Sequence, residues 1–304
     1  MSYTDLDNKL VASDIQEKLY QDKSFLEIAV NDDSLISARQ RRVVIPQAGS
    51  LPEVAIDAKG PLTSASRTET FTQYDVHSYR TNPILIRDFE DYFTNYNKQD
   101  SVTREQALQL KDKVAAHCMH LWASGSTEKI NSTGSERLSS FGGSTGNRKA
   151  FTFQDLLSVK KKLIKDGGTQ SPGSYVAIIN SEMYSDLMKL DEVKNGQYRS
   201  NHSLDNGSIG EFLGFTFFLR EDLPTYNASN KNIKPFASTG GSSEVIGAIF
   251  YHKDLVRRAI SPEVQVYLEV SASKAGVEIS SEVWAGASLS RSDKKGFVIL
   301  IEAK

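Results

Sequence analysis

Gly207 to Pro224 reads GSIGEFLGFTFFLREDLP, and 32 residues before it Tyr175 opens YVAIINSEMYSDLM. The first stretch sets Gly207, Gly210 and Gly214 around short apolar steps, then gives a Phe-rich run from Phe215 to Leu219 that stops at Asp222-Leu223-Pro224. Glycine permits positive φ or close backbone approach, and proline cannot continue a strand ladder. The stretch therefore predicts a turn, a tight helix–strand junction and a buried strand. The second predicts an apolar strand from Tyr175 followed by a helix over Met183 to Leu190. Together they predict an α/β layer.

Composition narrows the class. A chain of 304 residues with 39% hydrophobic and 24% charged residues can bury about three quarters of its unfolded surface. Its 36 Lys and Arg nearly cancel 38 Asp and Glu, for a net charge of −2, which is not the charge of a protein that holds nucleic acid by neutralising phosphates. The single cysteine, Cys118, allows no internal disulfide and fits a reducing cytoplasm. MSYTDLDNKL carries no basic-plus-apolar export signal, and the apolar runs Val176 to Ile179 and Val298 to Ile301 are too short to span a bilayer.

Along the chain, residues 1 to about 40 are polar, with a short amphipathic pattern at Ile15, Leu19, Phe25, Leu26 and Ile28 and a loop at Asn31-Asp32-Asp33. This predicts an arm carrying one helix. Arg39, Arg41 and Arg42 precede Val43-Val44-Ile45-Pro46, a strand halted by proline. From Gln47 to Arg80 large apolar residues thin out, alternation appears at Val54/Ile56 and Phe71/Tyr74/Val76, and Asp57-Ala58-Lys59-Gly60-Pro61 forms a turn signal. The expectation is a long hairpin. A two-stranded hairpin is marginal in water, so it needs another surface, its own domain or a neighbouring subunit.

Val102 to Ala123 lacks Gly and Pro and repeats apolar residues at helical spacing, with Asp100, Ser101 and Thr103 as capping candidates and Gly125 as the stop. About 22 residues make a rod of about 33 Å. His117, Cys118 and His120 lie within it, but structural zinc wants four convergent ligands and no second cluster exists, so no metal is predicted. Residues 124 to 150, rich in Gly, Ser and Thr, lack phosphate-loop spacing and predict a flexible connector. An amphipathic helix follows from Phe153 to Ile164, its Lys160–Lys162 run forming a wet face. A polar loop covers Asn195 to Asn206, and a second runs from Tyr226 to Ser243. Val245 to Tyr251 predicts a strand, Lys253 to Ala259 a short basic turn or helix, and Val264–Val270, Val277–Leu289 and Phe297–Ile301 a terminal set of strands.

In wording and order, the Tyr175 and Gly207 segments resemble the axial domain of tailed-phage major capsid proteins, the Hong Kong ninety-seven-like shell fold, and the remaining elements fall in that family's order. The resemblance implies an α+β fold with an N-terminal arm (1–42) and an extended E-loop hairpin (43–82). A peripheral domain with a long spine helix at 102–123 and a connector would take 83–149, an axial α/β domain 150–258, and returning peripheral strands 259–304, packed beside the spine helix.

Its implied function is structural: self-assembly into hexamers and pentamers of an icosahedral head shell around double-stranded DNA, held non-specifically. Portal, scaffold or decoration proteins are the implied partners, with no membrane and no cofactor. The location would be the virion capsid, after assembly in the host cytoplasm. The tip residues Asp57, Ala58, Lys59, Gly60 and Pro61 would serve assembly. Arg39, Arg41 and Arg42 would lie near DNA on the inner face, although three arginines more simply make a solvated or salt-bridged face. Some relatives cross-link covalently through a hairpin lysine, an asparagine and a carboxylate; Lys59 sits at the tip, but no asparagine and acid here match, which favours a solvated turn lysine.

Two other classes remain. One is an encapsulin-like nanocompartment shell, which shares the fold. The other is an α/β enzyme, but no G-x-S-x-G, H-E-x-x-H or strand-borne G-x-G-x-x-G is present, and no catalytic residue is assigned.

Overall fold

The computed structural model describes residues 20–36, 41–49, 54, 56–57, 60, 64, 66–87, 98–139, 146–166, 174–194, 199–200, 211–238, 241, 243–271 and 273–304. The arm enters through a one-turn helix, Phe25–Ile28, and β1, Val30–Asn31. Then come β2 (Arg42–Gln47), β3 (Thr70–Asp75), β4 (His77–Arg80) and β5 (Ile84–Arg87). The register of β2 on β3, from Arg42 opposite Asp75 to Gln47 opposite Thr70, is centred between positions 58 and 59, where the turn signal stands.

The spine helix runs from Lys98 to Gly125, 28 residues and so about 42 Å. It starts earlier than the capping candidates predict: Ser101 is buried inside it, and the Thr103 hydroxyl donates to the Gln99 carbonyl one turn back. Gly125 is its last residue, as expected.

The expected connector is instead structured. It holds β6 (Glu128–Asn131) and a small hairpin of β7 (Glu136–Ser139) and β8 (Gly146–Lys149). Strands of four residues in polar sequence give almost no local signal, and β6 exists because a partner distant in sequence pairs with it. The helix Phe153–Lys165 opens on a capping box. Thr152 Oγ1 accepts from the Asp155 backbone N–H at 3.2 Å, and the Asp155 carboxylate accepts from Thr152 N–H at 3.0 Å. β9 (Tyr175–Ile179) is buried throughout and runs into the helix Ser181–Lys189, capped by Asn180.

After β10 (Arg199–Ser200) come β11 (Glu211–Phe212) and β12 (Phe215–Leu219). Here the expected helix–strand junction is a two-residue hairpin turn: Phe212 pairs with Phe215, and Leu213 and Gly214 both have positive φ, 52° and 73°. β12 then lies parallel to β9. β13 (Thr225–Asn227) and β14 (Glu244–His252) come next; of the basic turn or helix expected over Lys253 to Ala259, Lys253–Leu255 forms a single 3-10 turn, and the rest belongs to β15 (Val256–Ile260). β16 (Gln265–Ser271), β17 (Gly276–Leu289) and β18 (Phe297–Ile301) close the chain.

Two main sheets result. An eight-stranded sheet orders β10-β11-β12-β9-β14-β18-β6, with β13 on β14. A six-stranded sheet orders β1-β15-β17-β16, with β4 and β5 on β17. The spine helix packs along β17 through Gln106, whose side chain bonds the Ile279 carbonyl and the Ser281 hydroxyl, as the family resemblance leads one to expect. One terminal strand departs from that expectation. β18 lies between β14 and β6 in the other sheet, because FVILI is apolar on both faces and only a two-sided interior buries it.

Candidate assembly surfaces

The hairpin is rooted and then exposed. At its base Val43, Ile45, Tyr74 and Val76 form a small buried cluster with Ala259, against which Ile36 and Trp284 pack. Beyond the base the described apolar residues lie open: Phe71 is 66%, Val54 84% and Ile56 88% exposed. Within one chain nothing described covers them. Of the tip residues, Asp57 has a left-handed φ of 52° and Gly60 is exposed, whereas Ala58, Lys59 and Pro61 lie outside the described residues.

Buried charge holds that root in place. The Tyr74 hydroxyl donates to Asp32 at 2.9 Å, and Arg257 Nη1 donates to the same carboxylate at 2.6 Å. Burial, then the Asp32 charge, pushes the Tyr74 phenol far above its usual range, so it stays a donor. Next to it, Asp33 accepts from Arg258 and from the Ile260 backbone N–H at 2.6 Å, while β1 lies parallel to β15. The arm, the hairpin and the six-stranded sheet thus meet at two aspartates in a segment whose sequence predicts only a loop. The available signal was the paired Asp32-Asp33 and Arg257-Arg258.

A second clamp fixes the arm to the helix. The Arg220 side chain is fully buried, donating to the Asp22 carbonyl (2.9 Å), Asp112 (2.9 Å) and Asp222 (2.6 Å). Its guanidinium lies 5.9 Å from the Phe25 ring centre, and Phe25 meets Trp122 edge-on at 6.1 Å. Trp122 Nε1 donates to the Arg257 carbonyl at 2.9 Å, tying the helix to β15 as well.

The predicted DNA-proximal arginines are partly engaged within the chain. Arg42 bridges Asp75 at 2.8 Å on the exposed hairpin surface, and the Arg41 guanidinium lies 5.6 Å from the Trp284 ring centre. Arg39 lies outside the described residues. The histidines on the spine helix form a stacked aromatic pocket: His117 and His120 stack at 6.1 Å, His77 meets His117 at 5.4 Å, and Phe236 caps both helix histidines. The Tyr79 hydroxyl bonds His117 Nδ1, and His120 Nε2 bonds the Lys234 carbonyl at 2.8 Å. Burial, with His77 and His120 beside it, lowers the His117 pKa to about 4. Cys118 is buried in the main core, and burial pushes its thiol up to about 12. Among the described residues no group of three or more His, Cys, Asp or Glu is placed to hold a metal, and no helix is long and apolar enough to cross a membrane.

A long helix on a sheet, a separate α/β layer, an anchored arm and a hairpin that cannot cover its own apolar residues define a subunit built to be completed by other subunits. The chain belongs to the phage capsid protein family, which matches it over residues 128–302. It is a structural shell protein with the Hong Kong ninety-seven-like fold, not an enzyme. No curated protein matches the sequence. Among solved structures, the capsid of Cyanophage P-SCSP1u is similar at a TM-score of 0.69 and 14% identity, over 99% of this chain and 94% of that one. The capsid of a native GTA particle gives 0.66 and 11%, over 98% and 95%. Mycobacterium phage Che8 gives 0.64 and 16%, over 98% of each chain. Fold is kept across all three at identities too low to carry residue roles.

Proposed function

We propose that copies of this chain pack into hexamers and pentamers that close into an icosahedral head shell around double-stranded phage DNA. The observation that carries this reading is the hairpin, whose Val54, Ile56 and Phe71 stay open beyond a root fixed by Asp32. Exposed apolar residues on a rigidly rooted ribbon suit docking on a neighbour, and head-to-tail contacts of that kind close into rings. A GTA capsid computed with C5 symmetry is among the similar structures, which is in keeping with the pentamers.

In this reading the arm spans 1–42 and the hairpin 43–82, with Asp57, Ala58, Lys59, Gly60 and Pro61 at its tip. The spine helix and six-stranded sheet make the peripheral unit, and the eight-stranded sheet the axial one. The net charge of −2, with Arg42 spent on Asp75, supports confinement of DNA without specific binding, with Arg39, Arg41 and Arg42 on the inner face. Portal, scaffold or decoration proteins complete the particle, and a single buried thiol suits assembly in the host cytoplasm.

Sedimentation tests the hairpin's part. The full chain should run as rings or larger species, and deletion of residues 51–70 should leave a folded protein that stays monomeric. A deletion variant that assembles like the full chain would remove the hairpin from the account.

A further inference from the structure

The outer edge of β16 carries the inference. β16 ends the six-stranded sheet, and among the described residues no strand pairs with its far side. Its sequence, QVYLEVS, is rich in β-formers and contains no Lys, no Pro and a single charge, Glu269, so its free edge is only weakly blunted. Both faces are open. The register with β17 puts Val266, Leu268 and Val270 on one face and Gln265, Tyr267 and Glu269 on the other. Leu268 is 63% and Val270 79% exposed.

We propose that β16 pairs antiparallel with β16 of a second copy, centred on Leu268, so that two six-stranded sheets run on as one across a two-fold axis. This rests on the shell-subunit reading and names a contact within it. The sequence complements itself in that register. Val266 falls opposite Val270 of the second copy, Leu268 opposite Leu268, and Val270 opposite Val266, an unbroken apolar ladder on one face.

The other face matches in charge. Glu269 of the second copy falls opposite Tyr267, and the Arg80 guanidinium already lies over that ring at 5.2 Å from its centre. Within the chain Glu269 stands directly opposite Glu278, a like-charge pair to which Lys274 contributes a counter-ion on the Glu278 side alone. A second copy brings Arg80 to the unrelieved carboxylate, and the two-fold axis repeats the contact.

The test uses single-cysteine additions on the full chain, assembled and then oxidised, with the unsubstituted chain as control because Cys118 is buried. Leu268→Cys faces its own copy on the axis and should give a disulfide-linked dimer on a non-reducing gel. Val270→Cys alone should give at least about ten-fold less, since its own copy lies about 13 Å along the strand, beyond disulfide reach. Co-assembled Val266→Cys and Val270→Cys chains should cross-link to each other. Intact shells in which Leu268→Cys stays unlinked, or in which Val270→Cys links to itself equally well, overturn the pairing while leaving the shell reading standing. Absence of any shell or ring overturns that reading and the pairing with it.

Discussion

Asp32 shows how much one side chain organises here. It is buried, takes the Tyr74 hydroxyl and Arg257 at 2.9 and 2.6 Å, and so decides where the hairpin leaves the core. Removing one partner of a buried charge pair strands the other, so Asp32→Ala should cost about 3 kcal/mol in denaturant unfolding of the unassembled subunit. It should also raise amide exchange in β2 and β3, and unchanged protection there would mean the hairpin is held by its apolar cluster alone.

His117 makes a second prediction at this scale. Its pKa in the fold, about 4, lies below the ordinary 6.5, so the unfolded chain takes up the proton first. The stability it lends is complete above about pH 6.5 and is lost as pH falls toward about 4. Its neighbours His77, His120 and Tyr79, and Lys113 beyond Phe236, add no acid to reverse that sign. The melting temperature should drop across this window, and His117→Phe should drop less; identical slopes would show that the ring is solvated in solution. Helical spacing puts His117 beside His120, but the partners of Asp32 lie 42 and 225 positions away, where the sequence offers only the matching pairs Asp32-Asp33 and Arg257-Arg258.

The elements were far more legible than their destinations. The spine helix, β9, β12, β14, β17 and β18 follow from apolar runs and their period, and β2 pairs with β3 as the expected hairpin requires. The strands at 128–131, 136–139 and 146–149 leave no trace in the sequence because β6 gains its hydrogen bonds from β18, some 170 positions later, and polar four-residue strands have no pattern of their own. For β18 the apolar run announced a strand, yet only tertiary packing could assign it to β14 and β6 instead of the sheet on the spine helix. Helix-to-sheet packing is tested at Trp122, fully buried between Phe25 and Tyr251 and bonded to β15. Trp122→Ala should cost about 3–5 kcal/mol and appear as insoluble subunit. A variant as stable as the parent would mean that this helix face does not carry the arm and sheet.

At the scale of the whole molecule, the described residues hold a substantial core, and among them nothing covers the hairpin or the edge of β16. Near-zero net charge lets identical copies approach without strong mutual repulsion. The fold persists across the similar capsids at 11–16% identity. Electron microscopy of the purified full chain, with a scaffold partner present if one is encoded beside it, tests the central claim most directly. Rings of five and six subunits or closed shells with icosahedral symmetry are the expected result; a protein that stays monomeric at high concentration across salt conditions would contradict the shell assignment.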